Sequence, residues 1–507
     1  MGLRLGLLMS LGLTAASAAA VAQTAPPPAR SASTPPKAPS FSATTKSTAQ
    51  KPPRRPVADP TVPRTLAEAL AATYSNQPAL QAERAKLRAT DENVPTALAG
   101  WRPTVVLAGT TGYGDGLNRQ FLRTVGPGAW TKSQTDRLVG TAQATVTQNL
   151  YTGGRTQAQV NRAKNQVYAE RATLLAQEQT SFNDAVNAYV GVIQNKQLLA
   201  LQVNNEQVLA KQLQATNDRF RVGEITRTDV AQAEAALEGA KAQRETAEGN
   251  LQTARGTFVR VIGFQPPDDL IEPQPLALPV RTEQDARNLA SINNPNVLTA
   301  MFNDAAAKDA IDVAFAQLMP QVSVQGQTFQ QQNQGARSSS ANGYAVIAQV
   351  SVPVYQGGSE YAAVRQARQT QQQTSRLIED ARRTAIQAAV QAWDTLVAAK
   401  ASAESTRAQI RANEVALEGV EREAIVGSRT TLDVLNATQT LLNSRTTLVQ
   451  NLSQIVIASY QVAGAIGRLT ARDLHLPVPL YDDTAYYNAV KDRWAGLGDY
   501  ATNQPGR

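Results

Sequence analysis

The feature that most constrains the fold of this chain is a repeat with a fixed offset of 204 residues. Three landmarks recur at that offset: Tyr151-Thr152-Gly153-Gly154 at Tyr355-Gln356-Gly357-Gly358, Val222-Gly223 at Val426-Gly427, and Ile262-Gly263 at Ile466-Gly467. The offset stays constant over roughly 115 residues, so the chain holds two copies of one long unit without an insertion between the landmarks. Each copy is far longer than a solenoid repeat.

The first 22 residues predict export from the cytoplasm. Arg4 precedes an uncharged run rich in Leu and Ala, and Ala20-Val21-Ala22 provides a small-residue cleavage site before Gln23. This pattern is typical of a secretory signal, and a retained membrane anchor is the alternative. No other segment approaches about 18 uncharged apolar residues, so any further membrane span must be a β-barrel.

Composition argues against an enzyme and against a metal or cofactor site. The chain has no cysteine and one histidine, His475, so thiol chemistry, zinc sites and histidine-based catalysis are nearly excluded. The net charge of +8 does not predict nucleic-acid binding, because most of it lies in residues 23–63. That segment is basic and rich in Pro, Ser, Thr and Ala, which is typical of a disordered extension.

Both copies begin with a short helix pair followed by strands. Thr65 to Gln77 predicts one helix, and Pro78 starts a second that runs towards Trp101 and is interrupted at Pro95. Pro295 occupies the position of Pro78 in the second copy.

Alternating patterns then predict strands of about ten residues, with one apolar and one polar face. They include Leu138 to Thr147, Val322 to Gln327 and Tyr344 to Val352, with an earlier strand at Val105 and Leu107. A soluble sandwich would also alternate. The first copy holds 13 more residues in this hairpin than the second, and we expect them to lengthen an outward loop containing Gly112, Gly114 and Gly116.

After each Gly-Gly pair the pattern becomes helical over an unusual length. Arg155 to Arg221 and Ser359 to Ile425 contain no proline, and each would form a helix about 100 Å long. A return helix of roughly 35 residues follows each one. In the second return helix, Leu435, Leu442, Val449 and Val456 fall seven apart, as do Leu441, Leu448, Ile455 and Val462, which favours coiled-coil packing.

Four such strands cannot close a membrane barrel, for which about eight is the minimum. Two chains would give a barrel filled by its own side chains, so a water-filled passage needs three or more chains.

The junctions and the helix turns resemble those of TolC-like outer-membrane efflux proteins. The similar segments are Val352 to Gly358 with Val364 to Ala367, Phe220 to Gly223 with Thr228 to Val230, and Val426 to Thr430 with Leu432 to Thr438. The resemblance runs from about Thr65 to Leu474.

This resemblance implies a mixed fold, in which a membrane β-barrel continues into a long α-helical coiled-coil barrel. It implies a homotrimer with a twelve-stranded barrel, four strands from each chain, surrounded by outer-membrane lipid. Its partners would be a periplasmic adaptor and an inner-membrane transporter of the ABC or RND type, and its cargo would be proteins or small toxic compounds. The repeats would span residues 64–267 and 268–474, with a C-terminal tail at 475–507.

The resemblance also assigns roles to the helix turns. Asp433 and Asn436 match the constriction positions, and Thr228, Asp229 and Arg429 match positions that link the helix pairs as a latch. Asn436 is not acidic and the aromatic latch position is Ala424, which implies a weaker field and an incomplete latch. The alternative for Asp229 and Asp433 is structural, because each follows a glycine turn and favours the positive end of a helix.

Two further sets of residues carry expected roles by the same resemblance. The adaptor-contacting tips would comprise Val222, Gly223, Glu224, Val426, Gly427 and Ser428, and the strand–helix junctions Gly153, Gly154, Gly357 and Gly358.

Two other classes of protein have long helices. A periplasmic coiled-coil adaptor would carry one hairpin with a lipoyl-like domain, and a fibrous adhesin would not need alternating strands. The missing lipid-attachment cysteine favours general and type I protein-secretion ducts over lipoprotein drug-efflux ducts.

Overall fold

The computed structural model describes residues 62–123, 126–334 and 338–498, which belong to one compact unit spanning residues 61–507. The expected signal at 1–22 and nearly all of the expected extension at 23–63 lie outside the described residues. The first copy consists of α1 (Leu66–Asn76), α2 (Pro78–Asp91), α3 (Asn93–Leu98), β1 (Thr104–Leu122), β2 (Ala129–Tyr151), α4 (Arg155–Arg221) and α5 (Arg227–Ile262).

The second copy repeats this order with one helix fewer before the strands. It consists of α6 (Glu283–Asn293), α7 (Pro295–Phe315), β3 (Gln321–Gln332), β4 (Ser340–Ser351), α8 (Ser359–Ile425) and α9 (Thr431–Ala465). A short helix, α10 (Ala485–Val490), follows in the C-terminal segment. No helix in the described part of the chain combines the length and apolar character needed to cross a membrane.

Local sequence explains where the short helices begin and end. Thr65 and Glu68 form a capping box at the start of α1, and Pro78 and Pro295 each occupy a first helical turn. The predicted interruption near Pro95 is confirmed: α2 ends at Asp91 and α3 begins at Asn93. The proline ring would clash with the carbonyl four residues earlier, at Asp91, so α2 ends there and Pro95 lies in the first turn of α3.

The two long helices have the predicted bounds, and each contains 67 residues. The return helices end before Gly263 and Gly467, whose φ angles of 88° and 78° suit a glycine cap. In α9 the two heptad rows are buried or half-buried, because α9 packs against both α8 and α4. A single long hairpin therefore contributes to two helix–helix interfaces.

The four strands form one antiparallel sheet in the order β1-β2-β3-β4. Register places Val105 opposite Val146 and Leu107 opposite Ala144, which defines an apolar face. On the other, polar face Gln143 Nε2 donates to Gln327 Oε1 at 3.1 Å. In the single chain the apolar face is exposed: the exposed fraction is 79% for Leu107 and 87% for Tyr344.

The expectation of strands of about ten residues is met by β3 and β4 but is wrong for β1 and β2, and the expected longer loop in the first copy is wrong. Strands β1 and β2 contain 19 and 23 residues, while β3 and β4 contain 12 each. Gly112, Gly114 and Gly116 lie within β1 and pair with Val139, Arg137 and Thr135. The extra residues lengthen the ladder, since cross-strand pairing satisfies backbone groups that a loop would leave to water.

The main hydrophobic core lies where α1, α2, α4 and α5 meet the end of α9. Phe182, Tyr189 and Phe258 are each 0% exposed, and the rings of Tyr189 and Phe258 are 6.2 Å apart. This core lies about midway along α4 and at the open end of the α4–α5 hairpin, so the turn at the far end of that hairpin depends on local interactions.

Candidate functional site

Each long hairpin ends in the same turn. Gly223 and Gly427 both have a φ of 80°, a conformation that glycine adopts at little cost. The amide of Glu224 donates to the Arg219 carbonyl at 3.1 Å, and that of Ser428 donates to the Glu423 carbonyl at 3.0 Å. These bonds satisfy carbonyls that the helix ends would leave unpaired.

The helix that follows each turn is capped by a Thr–Asp pair. Asp229 Oδ2 accepts from the Thr226 amide at 2.9 Å and from the Thr226 hydroxyl at 2.6 Å. Asp433 Oδ2 accepts the equivalent bonds from Thr430 at 3.0 and 2.8 Å. Hydrogen bonding to the charged form holds the pKa of both carboxyls below its usual range. Both aspartates therefore have a structural role at a helix N-terminus.

Each turn also carries one exposed ion pair, and the two pairs have opposite polarity. Arg219 at the end of α4 pairs with Glu224 in the first turn at 2.7 Å. Glu423 at the end of α8 pairs with Arg429 in the second turn at 2.8 Å. The Arg219 bond lowers the pKa of Glu224. The two tips thus share one backbone but differ in their charge pattern.

The proposed constriction and latch residues lie at these tips without contacting each other across the hairpins. Asn436 lies one turn beyond Asp433 and is exposed, as is Thr228. Within the described residues, no hydrogen bond or ion pair joins Thr228, Asp229 or Arg429 to the other hairpin. Their roles as constriction and latch remain predictions, because those roles would depend on neighbouring copies of the chain.

The strand–helix junctions need glycine for backbone conformation. Gly153, Gly154, Gly357 and Gly358 have φ angles of 66°, 83°, 73° and 83°. At Gly153 a Cβ would also lie 2.5 Å from the Met319 Cβ, so space as well as conformation excludes a side chain. The turn directs α4 away from the sheet, and α7 packs beside α4.

The C-terminal segment contributes contacts that no sequence motif revealed. The Tyr481 amide donates to the Tyr74 hydroxyl at 2.9 Å, and the Arg84 guanidinium lies over both tyrosine rings. Further along, Arg171 lies over the Tyr487 ring. The segment is therefore attached to α1, α2 and α4. Its tyrosines, Tyr481, Tyr486 and Tyr487, are the sequence signal that could have indicated these contacts.

No group of three or more potential metal ligands occurs among the described residues. The arrangement is one of helix ends, strand edges and surfaces, rather than of groups gathered around a reacting atom.

Comparison with known proteins decides the family. The model of the family described as "Outer membrane efflux protein" matches residues 69–263 and 286–468. This chain belongs to the outer membrane efflux protein family. The two matched segments fall on the two copies of the repeat.

Individual family members show the same relationship. Outer membrane efflux protein BepC of Brucella suis is 34% identical over 436 residues, which cover 85% of this chain and 92% of BepC. Outer membrane protein TolC of Escherichia coli is 25% identical over 323 residues, 60% of this chain and 64% of TolC.

The crystal structure of the outer membrane protein VceC from Vibrio cholerae shares the fold. It has a TM-score of 0.66 and 20% identity, and the match covers 79% of this chain and 96% of VceC. The fold expected from the sequence, a membrane β-barrel sheet joined to a long helical barrel, is confirmed.

Proposed function

We propose that three copies of this chain form an exit duct that crosses the outer membrane and extends into the periplasm. The duct carries proteins or small toxic compounds outward together with a periplasmic adaptor and an inner-membrane transporter of the ABC or RND type. It catalyses no chemical reaction. The observation that carries the proposal is the four-stranded sheet with two open edges and two chemically different faces.

The open edges require partner strands. Within the described sheet β1 pairs only with β2, and β4 pairs only with β3. In lipid each unsatisfied backbone group costs several kcal/mol, so spanning sheets close on themselves. Edge β4 of one copy can pair with edge β1 of the next, and three copies give twelve strands.

The two faces match the two sides of a membrane barrel. The apolar face, with exposed Leu107, Tyr344 and Val346, is suited to lipid contact. The polar face, with Gln143, Gln327 and Thr145 linked by side-chain hydrogen bonds, is suited to a water-filled lumen.

The helices give the duct its periplasmic length and its tips. The proposal assigns Val222, Gly223 and Glu224, with Val426, Gly427 and Ser428, to adaptor contact. It assigns Asp433 and Asn436 to the narrowest point and Thr228, Asp229 and Arg429 to the latch, roles that add to the capping observed in one chain.

Cross-linking across the edges tests the assembly. The chain has no cysteine, so introduced thiols are the sole targets of a bifunctional thiol reagent. Ala108→Cys in β1 with Ala345→Cys in β4 should give cross-linked dimers and trimers in outer membranes. The control combines Thr145→Cys in β2 with Ala345→Cys in β4. The register places these two residues on either side of β3 in the same chain, so this variant should give monomers only. Monomers from both variants would contradict the assembly.

Conductance tests the constriction. Asp433→Ala should reduce cation preference and multivalent-cation block in planar bilayers, because three carboxylates near one axis attract cations. Asp218→Ala removes an exposed carboxylate near the first tip that has no assigned role in the gate and should leave the ion preference unchanged. Equal behaviour of the two variants would remove Asp433 from the constriction.

A gene deletion tests export itself. Loss of the chain should change the profile of secreted proteins or the sensitivity to toxic compounds, and the unmodified gene should restore it. Unchanged profiles in both assays would contradict an export role.

A further inference from the structure

The polar face of the sheet is almost free of charge. The alternation of side chains along each strand and the register between strands define which residues lie on this face. They are the even-numbered residues of β1, the odd-numbered residues of β2 up to Asn149, and the odd-numbered residues of β3 and β4. Within the described strands, one residue of that set is charged: Arg137. The rest are Gln, Asn, Ser, Thr, Gly or apolar residues.

The other charged residues within β1 and β2 lie on the opposite face. In the β1–β2 register, Asp115 lies opposite Asp136 and Arg119 lies opposite Lys132. All four residues are on the same face of the sheet as the apolar Leu107. The Tyr113 hydroxyl donates to Asp136 Oδ1 at 2.7 Å, which holds that carboxylate on the outward face. Adjacent residues Asp136 and Arg137 therefore point to opposite sides of the sheet.

The position of Arg137 is fixed by the second hairpin. Its guanidinium donates to the Gln334 backbone carbonyl at 2.5 Å, and the Asn333 side-chain amide donates to the Leu138 backbone carbonyl at 2.8 Å. Residue 137 lies within β2, three residues beyond the last β2–β3 pair at Gly140 and opposite Gly114, where only the β1–β2 ladder continues. This site is the rim of the four-stranded part of the sheet, on the side away from the helices, and the β1–β2 hairpin extends beyond it.

We propose that Arg137 forms a ring of three positive charges at the outer mouth of the duct and that this ring makes the exit favour anionic solutes. The inference rests on the proposed trimeric duct and on the placement of the polar face towards its lumen. It assigns the two ends of the passage opposite signs, with carboxylates at the helix tips and guanidinium groups at the outer rim. Rings of Arg or Lys are a general means of anion selection in pores.

The expected size of the effect follows from the geometry of a twelve-stranded barrel. Strand spacing and tilt give a backbone radius of about 12 Å. Three guanidinium groups about 8 Å from the axis, in water with a Debye length of about 10 Å at 0.1 M salt, enrich monovalent anions on the axis roughly threefold.

The test measures the chloride-to-potassium permeability ratio of the full-length trimer in planar bilayers under a KCl gradient. Arg137→Gln should lower the ratio about tenfold, because the potential that enriches anions roughly threefold also depletes cations by the same factor, and Arg137→Glu should lower it further. The matched control is Arg119→Gln, which removes the same charge from the opposite face of the same hairpin and should leave the ratio unchanged. Each variant is also measured with Asp433→Ala, because the constriction lies in series with the rim. The difference between Arg137→Gln and wild type should shrink in 1 M salt, where the Debye length is about 3 Å.

The outcomes separate this inference from the duct itself. Conductance with the same permeability ratio in wild type and Arg137→Gln, in both backgrounds, would overturn the Arg137 ring and leave the duct intact. An equal shift in Arg119→Gln would also overturn it, since the effect would then be one of surface charge. A wild-type trimer without conductance would overturn the duct and the ring together.

Discussion

Asp91 is a buried carboxyl whose ionisation should weaken the attachment of the C-terminal segment. It is the last residue of α2 and is 1% exposed, and neither oxygen has a hydrogen-bond partner among the described residues. Burial raises its pKa from 3.8 to about 7, although Arg171 and Arg88 oppose this shift. The carboxyl also lies at the negative end of the α2 dipole, where a negative charge is unfavourable.

The sign of the pH dependence follows from the two pKa values. In the unfolded chain the Asp91 carboxyl loses its proton near its ordinary pKa, whereas in the folded chain the carboxyl stays protonated until about pH 7. The stability contributed by the neutral carboxyl is therefore complete below about pH 4, declines as pH rises from about 4 to 7, and is constant above that. At about 1.4 kcal/mol per pH unit, the loss between pH 5 and pH 7 is about 2–3 kcal/mol.

Asp91→Asn removes this titration. An amide in the same site carries its own desolvation cost, but that cost does not depend on pH. The stability of the variant relative to wild type should therefore rise by about 2–3 kcal/mol from pH 5 to pH 8. Denaturant unfolding at both pH values measures the change, and hydrogen exchange of residues 476–490 should show tighter protection in the variant at pH 8.

The control is Asp184→Asn, an exposed aspartate of α4, whose effect should be small at both pH values. A difference between Asp91→Asn and wild type that is the same at pH 5 and pH 8 would refute the reasoning. It would mean that Asp91 is ionised in the folded protein at both pH values, despite its burial.

Three other substitutions test the packing and the turns. Gly153→Ala should lower the thermal midpoint clearly more than Gly154→Ala, because both have positive φ but only the Gly153 Cβ meets neighbouring atoms; similar midpoints would argue against the steric constraint. Phe258→Ala should cost about 3–5 kcal/mol in denaturant unfolding, whereas the half-exposed Phe220→Ala should cost under about 1 kcal/mol. Thr430→Val should speed hydrogen exchange in the first turn of α9 and raise the pKa of Asp433, whose carboxylate accepts a hydrogen bond from the Thr430 hydroxyl. Unchanged exchange would show that the Thr430 cap contributes little to the start of α9.

Much of this architecture follows from the sequence because its determinants are local. The bounds of α4 and α8 could be predicted since each helix lies between a Gly-Gly pair and a Val-Gly turn, with no proline between. The break at Asp91 follows from Pro95 by steric exclusion alone. Alternation likewise predicted the two faces of the sheet, because successive side chains of any strand point to opposite sides.

What the sequence missed depends on contacts between distant segments. Glycines suggested a loop at residues 112–116, but pairing with β2 kept them in a strand, since a partner ladder outweighs weak local preference. The C-terminal segment had no motif, yet Tyr481 contacts α1 and α2 and Tyr487 contacts α4. The burial of Asp91 also depends on that packing, because a helix end is exposed until another segment covers it.

The sequence by itself determined the duplicated unit, its long helices, the turns at their tips and the alternation of its strands. Each of these is set by residues close together in the chain. Only the tertiary structure decided the lengths of β1 and β2, the covering of Asp91 and the placement of Arg137 at the rim of the polar face. Those features require register or packing between segments far apart in sequence, and a one-residue change of register would have put Arg137 on the other face of the sheet.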